Sequence, residues 1–386
     1  MRKVCVVITA RPSYSRVKSL LAALAKRVDV ELQVVVAASA HIERTGRVVE
    51  LINHDGFPID AEVFSLVDGD SEENMARSTA LALLELPSVF ARLRPDAVVV
   101  VADRYETIAT SIAASYMRIP VAHIQGGEVT GNIDERVRHA NTKLADLHFV
   151  ASETARRRVL VMGENPASVH LTGCPSIDLA RDISPSTPLG FDPFSKYGGV
   201  GQPLDALDEY AVVLQHPVTN EVNDSRQQVT ATLEALSRLG VPTLWFWPNV
   251  DAGADRTSKA IRSFRETRNP THIHFFKNME PDEFLRLINR AAVLVGNSSV
   301  GVREAGYLGV PVVNIGSRQA GRERARNVVE CSYDADEIQS KIQSQINHGR
   351  YEADALYGDG TAGEKIAQIL ATVPLHADKQ FFDGNS

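Results

Sequence analysis

Residues 97–127 read AVVVVADRYETIATSIAASYMRIPVAHIQGG and contain the pattern that decides the fold. The apolar run Ala97–Ala102 comes first, and a second run, Pro120–Ile124, follows after the amphipathic stretch Tyr105–Met117. Neither run alternates with polar residues, which is typical of parallel strands that helices cover on both faces. The segment therefore predicts a β-α-β unit.

The same alternation extends over most of the chain. The other predicted strands are Val4–Ala10, Leu32–Ala38, Leu147–Ala151, Ala211–Gln215, Thr243–Trp247, His272–Phe276, Ala292–Gly296 and Val310–Asn314. The other predicted helices are Ser15–Arg27, Ser71–Arg94, Asp134–Ala145, Val222–Leu239, Asp282–Arg290, Ser299–Leu308, Asp336–Asn347 and Ala362–Thr372. In the second of these helices we expect Ser71 to be the N-cap and Pro87 to cause a break or kink.

One stretch, residues 184–205, contains several Pro and Gly residues and has neither a helical nor a strand period. We interpret it as a linker between two doubly wound, Rossmann-like domains of the α/β class, residues 1–183 and 206–361. Residues 362–386 are expected to form a helix and tail, with the helix packing back toward the N-terminal domain. Because ligands of such sheets bind at the carboxyl ends of the strands, we expect the site in the interdomain cleft.

Composition places limits on function. The chain has 386 residues, 41 Lys plus Arg and 48 Asp plus Glu, so its formal net charge is −7. This balance argues against a nucleic-acid scaffold but is compatible with a local basic pocket for one small anion. Three cysteines far apart in sequence suggest neither a disulfide framework nor a zinc cluster. No apolar run is long enough for a membrane helix, so we expect a cytoplasmic protein without nucleic-acid or membrane partners.

Polar residues follow several predicted strands at their carboxyl ends. After the first strand, Arg11 and the hydroxyl of Ser15 suit an anion such as phosphate, although Arg11 alone is equally typical of a solvated loop. After the run at residues 97–102, Asp103 and Arg104 are expected to face the crevice rather than the core. These positions predict acid/base and anion-binding groups in the N-terminal domain.

A glycine-rich segment, HIQGGEVTG, occupies residues 123–131. Its glycines allow a ligand to approach the backbone closely, and a plain glycine turn is the alternative. The helix that follows opens with ionisable residues from Asp134 to His139. Asp134 is therefore either a site carboxylate or an N-cap.

The second half of the chain offers a stronger anion site. Residues 295–304, VGNSSVGVRE, predict a strand, a small-residue turn and a helix start. Free N–H groups, the helix dipole and the hydroxyls of Ser298 and Ser299 together suit a diphosphate, whereas a serine N-cap on an ordinary helix is the alternative. Glu304 is placed to accept hydrogen bonds from ribose hydroxyls, and Arg322 to neutralise phosphate charge.

Two further strand exits carry candidates. His216 ends one strand beside Pro217, which fixes the backbone there, and Asn249 follows another. His272 and His274 lack carboxylates at ligand spacing and are interpreted as structural. No nucleophile elbow, Walker A loop, HExxH or CxxC pair is present and the other histidines are scattered, so we predict no metal site.

In this order the motifs resemble the hydrolysing UDP-N-acetylglucosamine 2-epimerases of bacterial sialic-acid pathways. The similar motifs span residues 4–373 and are Asp103-Arg104, Gly126-Gly127-Glu128-Val129-Thr130-Gly131, Ile133-Asp134, Arg138-His139-Ala140, Gln215-His216-Pro217-Val218-Thr219, Pro248-Asn249-Val250-Asp251-Ala252-Gly253, Gly296-Asn297-Ser298-Ser299, Val302-Arg303-Glu304, Gly321-Arg322-Glu323 and Tyr357-Gly358-Asp359-Gly360. The resemblance implies a GT-B fold whose second domain holds most of the nucleotide. It also implies a reaction without cofactor: removal of the C2 proton of the sugar with loss of UDP, then addition of water to give free N-acetylmannosamine.

The resemblance assigns roles by position. Asp103 and Asp134 match catalytic carboxylates, and His216 matches a catalytic or phosphate-contacting histidine. Arg104, Gln125 and His139 are assigned to the substrate pocket. The nucleotide-binding set is Arg11, Ser15, Asn249, Ser298, Ser299, Glu304 and Arg322.

The sequence also departs from the family pattern. The pattern has Glu where this chain has Gln125, and an amide has no useful proton affinity near neutral pH. Glu128 or another carboxylate then takes the proton-transfer role, or the activity differs. The turn at residues 9–15 also differs from the usual form, which suggests a subfamily with another nucleotide-sugar substrate. A non-hydrolysing epimerase, a glycosyltransferase and a catalytically silent nucleotide-sugar binder remain the alternatives, and a homo-oligomer, dimer or tetramer, is expected.

Overall fold

The valine-rich runs form the centres of two parallel sheets. The computed structural model describes residues 1–41, 48–67, 69, 71–102, 104–130, 133–204, 209–248 and 253–383. The chain divides into two units, the first Met1–Asp178 together with Tyr357–Ser386 and the second Leu179–Leu356.

Each unit contains one sheet. The first consists of β1 (Arg2–Ile8), β2 (Val30–Ala37), β3 (Ala61–Val63), β4 (Ala97–Val101), β5 (Val121–Ile124), β6 (Leu147–Val150) and β7 (Val169–Leu171), in the order β3-β2-β1-β4-β5-β6-β7. The second consists of β8 (Ala211–Leu214), β9 (Thr243–Phe246), β10 (Ile273–Phe276), β11 (Val293–Gly296), β12 (Val312–Ile315) and β13 (Val328–Cys331), in the order β10-β9-β8-β11-β12-β13. The paired strands are parallel, and both orders follow the Rossmann pattern, which confirms the predicted fold class.

Helices connect the strands. They are α1 (Arg11–Ser15), α2 (Lys18–Ala25), α3 (Val48–His54), α4 (Glu72–Leu93), α5 (Thr107–Tyr116), α6 (Ile133–Leu144), α7 (Glu153–Val161), α8 (Pro175–Asp178), α9 (Pro193–Tyr197), α10 (Ser225–Leu239), α11 (Ala254–Arg268), α12 (Pro281–Asn289), α13 (Ser299–Val302), α14 (Glu304–Leu308), α15 (Ala335–His348) and α16 (Ala362–Thr372). Among the described residues, none of these helices combines the length and apolar character that crossing a bilayer requires.

Helix α4 tests two local predictions. Ser71 is its N-cap, and the Ser71 hydroxyl accepts a hydrogen bond from the Asn74 N–H at 3.2 Å, as predicted. The predicted break at Pro87 is wrong, because α4 continues to Leu93. Buried residues on both sides of Pro87, Leu86 and Phe90 among them, pack on the first sheet. This packing compensates for the backbone hydrogen bond that proline cannot donate.

The C-terminal segment returns to the first unit. Ile366 and Leu370 of α16 are buried in the same apolar cluster as Leu20 of α2. The Asp178 carboxylate accepts hydrogen bonds from the first two N–H groups of α16, at 2.9 and 2.6 Å. Further along the tail, Lys379 forms a 2.6 Å ion pair with buried Glu164.

The stretch 184–205, which the sequence predicts to be a linker, lies within the second unit where it is described. It contains α9, and Val200 pairs with Phe275 through two backbone hydrogen bonds of 2.9 Å. The Ser184 carbonyl accepts from the Asn289 amide at 2.7 Å. The chain thus passes between the units at 178–179 and 356–357 rather than at the predicted boundaries.

Candidate active site

The end of β4 is held in an unusual backbone conformation. Ala102 has φ +59°, in the left-handed region that L-residues rarely adopt. Its carbonyl accepts hydrogen bonds from His123 Nε2 at 3.0 Å and from the Asn141 amide at 3.5 Å. Two buried side chains therefore fix the peptide that precedes Asp103, which itself lies outside the described residues.

His123 acts in this contact as a neutral ring. Because a carbonyl can only accept, Nε2 carries the hydrogen, and Nδ1 accepts from the Thr142 hydroxyl at 3.1 Å. Burial lowers the pKa of His123 to about 3, against the weaker opposing effect of the Ala102 carbonyl. The imidazole is uncharged near neutral pH, so it orients the backbone rather than exchanging protons.

Arg104 is anchored at the same edge of the sheet. Its Nε donates to Oε1 of Glu106 at 2.9 Å, and the Ser39 hydroxyl donates to the same oxygen at 3.5 Å. Glu106 is buried, and its Oε2 has no hydrogen-bond partner among the described residues. The side chain of Arg104 remains a quarter exposed. A buried carboxylate thus holds an accessible cation near the strand ends.

The loop after β5 bends sharply. Gln125 has φ +67° and Gly127 has φ +78°. A Cβ atom on Gly127 would lie 2.2 Å from the Ala155 carbonyl oxygen, so only glycine fits there. The Gln125 amide is fully buried and donates to the sulfur of Cys174. Although Gln125 is predicted to line the pocket, its side chain points to a buried thiol and does not reach solvent.

Helix α6 holds the rest of this loop. Buried Arg138 donates from Nη1 to the Glu128 carbonyl at 3.0 Å and to the Thr130 hydroxyl at 3.4 Å. Glu135 accepts from the Thr130 N–H at 2.8 Å and lies 3.6 Å from His139. Burial lowers the pKa of His139, against the opposing charge of Glu135.

The two candidate catalytic carboxylates that follow β5 differ in environment. Glu128 is buried, whereas Asp134 is partly exposed in the first turn of α6. Asp134 follows the first residue of the helix, so its interpretation as an N-cap is wrong.

Arg11 and Ser15 lie at the end of β1, the neighbour of β4. Arg11 begins α1, and the Ser15 hydroxyl contacts the Arg11 carbonyl one turn earlier at 3.5 Å. Both residues are partly exposed. In the first unit Arg11, Arg104 and Glu128 therefore follow the carboxyl ends of β1, β4 and β5, while Ser15 lies on the helix after β1 and Asp134 and His139 on the helix after β5.

The second unit has a comparable edge at β8 and β11. A Cβ atom on Gly296, which has φ +128°, would lie 2.2 Å from the Leu214 carbonyl oxygen. Because glycine has no Cβ, the backbone at Gly296 can lie against the Leu214 carbonyl, and Asn297 then reaches the end of β8. Its side chain accepts from the His216 N–H and donates to the His216 carbonyl, each at 2.8 Å.

The turn after Asn297 only partly matches the predicted helix start. Ser298 is an N-cap whose hydroxyl accepts from the Val300 N–H at 3.4 Å. The predicted helix Ser299–Leu308 is divided at Arg303 into α13 and α14, so no long helix dipole acts there. Ser298 thus forms an N-cap, but on a helix of only four residues, and the side chains of Ser298 and Ser299 are partly exposed.

Two charged candidates border this turn. Glu304 is 8% exposed, and its Oε2 has no hydrogen-bond partner among the described residues. Arg322 is buried, and its backbone N–H donates to the Gln319 carbonyl at 3.3 Å. The side-chain amide of Gln319 in turn donates to the Asn297 carbonyl at 2.9 Å. Asn249 lies outside the described residues.

Sequence reasoning missed the residues that hold these edges. His123, Asn141, Glu106 and Asn297 are buried polar residues with specific partners, yet none is predicted as a site residue. Asn297 stands inside the Gly-Asn-Ser-Ser motif, which was a signal that could have found it. Within the described ranges, His, Cys, Asp and Glu residues form no group suited to a metal ion.

Two Rossmann-like units, each with polar side chains at the carboxyl edge of its sheet, place the protein in the GT-B fold class. A sequence profile described as UDP-N-acetylglucosamine 2-epimerase matches residues 22–371, and the chain belongs to that family. It is an enzyme of this type.

The similarity to characterised relatives extends over whole chains. The chain is 30% identical to the UDP-N,N'-diacetylbacillosamine 2-epimerase (hydrolyzing) of Legionella pneumophila, covering 98% of this chain and 97% of the relative. It is 27% identical to the UDP-N-acetylglucosamine 2-epimerase of Neisseria meningitidis serogroup B, over 100% of both chains. The structure of UDP-GlcNAc 2-epimerase from Neisseria meningitidis bound to UDP-GlcNAc matches with a TM-score of 0.78 at 18% identity, covering 95% of this chain and 99% of that one.

Proposed function

We propose that the protein is a hydrolysing 2-epimerase. It converts UDP-GlcNAc, or a related nucleotide sugar with a 2-acetamido group, to the free 2-epimer and a nucleoside diphosphate. The observation that carries the proposal lies after β5, where Arg138 holds buried Glu128 through its carbonyl and Asp134, in the first turn of α6, is partly exposed. Pairs of carboxylates in different environments are what acid/base catalysis at one pH requires.

The chemistry proceeds by elimination and then addition. A carboxylate removes the C2 proton while the C1–O bond breaks, so the electron pair of the C–H bond forms the C1–C2 double bond and the diphosphate leaves as an anion. Water then adds across this double bond: its oxygen bonds to C1 and a proton is delivered to C2 from the opposite face. The oxidation state of the sugar is unchanged overall, so the sequence of steps needs no redox cofactor.

In this proposal the first unit supplies proton transfer. Asp103, Glu128 and Asp134 are the proposed acid and base, and Arg104 and His139 contact the sugar. Gln125 is not a proton carrier here, because an amide cannot serve and its side chain is bound to Cys174. Its role is to support the loop.

The second unit binds the leaving group in the proposal. His216, Ser298 and Ser299 offer donors to the diphosphate, and preorganised donors favour departure as negative charge develops. Buried Glu304, with one oxygen that lacks a partner among the described residues, suits ribose hydroxyls. Asn249 and Arg322 of the second unit, and Arg11 and Ser15 of the first unit, complete the proposed nucleotide contacts.

The 2,4-diacetamido sugar is the second candidate substrate. The observation that favours it is the full-length similarity to the diacetylbacillosamine enzyme of Legionella pneumophila. Both candidates share the C2 proton, the acetamido group and the nucleotide, so the same chemistry applies to each.

The test is to incubate the protein with each nucleotide sugar in deuterated water and follow the reaction by NMR. Free 2-epimer carrying deuterium at C2, together with released UDP, is the expected result. A deuterated product still attached to UDP would instead identify a non-hydrolysing epimerase. Binding without turnover would identify a silent binder, and transfer of the sugar to an added acceptor a glycosyltransferase.

Variants assign the proton carriers. Glu128→Gln and Asp134→Asn are expected to keep UDP binding and to lose turnover by a factor of about 100 or more. Gln125→Glu places a carboxyl group against the buried Cys174 sulfur and is expected to lower stability without raising turnover. A gain of activity in Gln125→Glu would contradict the role given to Gln125.

A further inference from the structure

One side chain joins two strand ends of the second sheet. Strands β8 and β11 are neighbours, and Asn297, just after β11, reaches His216, just after β8. Oδ1 of Asn297 accepts from the His216 N–H at 2.8 Å, and its Nδ2 donates to the His216 carbonyl at 2.8 Å. Asn297 is 1% exposed. The side-chain amide of Asn297 therefore satisfies both backbone groups of His216, as the backbone of a paired strand residue would do.

The chemistry of the contact leaves one orientation for this amide. A backbone N–H only donates and a carbonyl oxygen only accepts, so reversing the amide would oppose like groups at both positions. Glutamine would place the amide one bond further away, and leucine would leave both backbone groups of His216 without these partners. Asparagine has the length and both polar groups that the contact requires.

Asn297 is itself fixed from both sides. Its N–H donates to the Leu214 carbonyl at 3.0 Å, a contact that the missing Cβ of Gly296 permits. Its carbonyl accepts from the Gln319 amide at 2.9 Å and from Arg318 at 3.2 Å. The next residue is Ser298, so the position of His216 is tied to the serine turn through a single residue.

We infer that Asn297 is a positioning residue that sets His216 at a fixed distance from the Ser298–Ser299 turn. The inference rests on the proposed function, in which these groups meet the same diphosphate. A fixed separation means that the donors need little rearrangement when charge develops on the leaving group. Asn297 acts through His216 and does not itself touch substrate.

A double-mutant cycle tests this coupling. The variants are Asn297→Ala, His216→Ala and the double variant, and the readouts are kcat/KM with UDP-GlcNAc and the Kd for UDP. We expect Asn297→Ala alone to lower kcat/KM by about 10-fold to 100-fold, as misplacement of a site group does. In the His216→Ala background the same change should have less than about a 3-fold effect, because coupled residues are not additive. Fully additive losses would overturn the inference, and so would a His216→Ala variant that behaves like wild type.

The two readouts separate the inference from the proposed function. If UDP binds with the expected coupling but no nucleotide sugar is turned over, the proposed function fails and the positioning role stands. If turnover is observed and the effects are additive, the proposed function stands and the positioning role fails. If UDP does not bind, both fail.

Matched variants guard against a general loss of folding. Asn297→Asp keeps the size and the acceptor for the His216 N–H but places a carboxylate oxygen against the His216 carbonyl, so it should show intermediate losses even if Asn297→Ala does not fold. The control is Asn327→Ala. Asn327 is 2% exposed and donates to the Val310 carbonyl at 2.7 Å, at the opposite edge of the same sheet. It should lower stability and leave kcat/KM and UDP affinity unchanged; equal losses in this control would contradict the inference.

Discussion

The carboxyl edges of the two sheets reach their backbone conformations by different means. At the edge of the first sheet, Ala38, Ala102 and Gln125 have φ values of +50°, +59° and +67°. At the edge of the second, the corresponding strand ends have Gly296 at +128° and Gly316 at +73°. An L-residue in the left-handed region costs about 1–2 kcal/mol, and glycine does not have this cost.

The difference shows where each edge is vulnerable. In the first unit, side chains from α6 and β5 hold the strained peptides, with Asn141 and His123 both bonded to the Ala102 carbonyl. In the second unit, the absence of a Cβ on Gly296 allows two strand ends to meet, and Asn297 then joins them. The first edge depends on polar side chains that are far away in sequence, and the second depends on the missing Cβ atom of Gly296.

Gly296→Ala should give the largest effect. The new Cβ would meet the Leu214 carbonyl at 2.2 Å in a conformation that L-residues avoid, so we expect a loss of about 4 kcal/mol or more in the free energy of unfolding. Both tryptophans, Trp245 and Trp247, lie in the second unit, so urea unfolding followed by tryptophan fluorescence reports on it.

The matched control for this prediction is Gly240→Ala. Gly240 also has positive φ, +67°, but a Cβ there would meet nothing within 4 Å. We expect a loss of about 1 kcal/mol, from backbone strain alone. Equal losses in the two variants would show that close approach is not what requires Gly296.

Asn141→Leu should have the next largest effect, in the first unit. Asn141 is fully buried and bonds to the Ala102 carbonyl and, at 2.8 and 2.7 Å, to the hydroxyls of Thr107 and Ser111. Leucine fills the space but removes one hydrogen bond from each of these three groups, so we expect a loss of about 3 kcal/mol. Far-UV circular dichroism should show the earlier unfolding, and kcat should fall as the Ala102 peptide relaxes. A fluorescence midpoint that shifts by the same amount would contradict the assignment of the effect to the first unit.

The third largest effect should come from acid, which we expect to lower the stability of the first unit. Burial lowers the pKa of His123 to about 3 from its ordinary value near 6.5, and burial also lowers the pKa of His148. The unfolded chain therefore binds protons below about pH 6.5 that the folded chain does not, and stability falls as pH falls. His123 removes about 1.4 kcal/mol per pH unit between that pKa and its folded pKa of about 3, and His148 adds to this loss where only the unfolded chain binds its proton.

Circular-dichroism melts at pH 7, 6 and 5 measure this dependence. Glu164, whose lowered pKa of about 2 reflects hydrogen bonds from His148 and two lysines outweighing burial, stays ionised over that range. His123→Gln should reduce the slope and leave the contribution of His148. An unchanged slope in that variant would contradict the protonation account of His123.

Ala102→Gly should have the smallest effect. Glycine relieves about 1–2 kcal/mol of backbone strain but loses a buried methyl and gains freedom in the unfolded state, each worth about 0.5–1 kcal/mol. We expect the free energy of unfolding, followed by circular dichroism, to change by less than about 1 kcal/mol. A loss above about 2 kcal/mol would mean that the Ala102 methyl, rather than its φ, is what matters at this edge.

Much of the fold could be predicted because the central strands are nearly continuous valine runs. Each predicted strand is present, with ends displaced by no more than about two residues, as is usual for such boundaries. The short strands β3, β7 and β13 were missed. Glu62 and Glu330 are exposed residues within two of them, so these strands lack the apolar run that marked the centre.

The candidate site was predicted less completely. Local sequence shows which strand ends carry polar residues, and it located Arg104, Glu128 and Asp134 at one edge. It could not show that Asn297 bonds to His216, because 81 residues separate them and only the parallel pairing of β8 with β11 brings them together. Nor could it show that the Gln125 amide meets Cys174, since that contact depends on how the loop bends.

The return of α16 to the first unit has a consequence for how the protein is made on the ribosome. The second unit is one continuous segment, residues 179–356, whereas the first takes Ile366, Ala367 and Leu370 from the end of the chain into its core. Synthesis runs from the N-terminus, so the second unit can complete its core while the first, although begun earlier, still lacks a helix. The unit that is translated first can therefore complete its core only after the helix that follows the second unit has emerged.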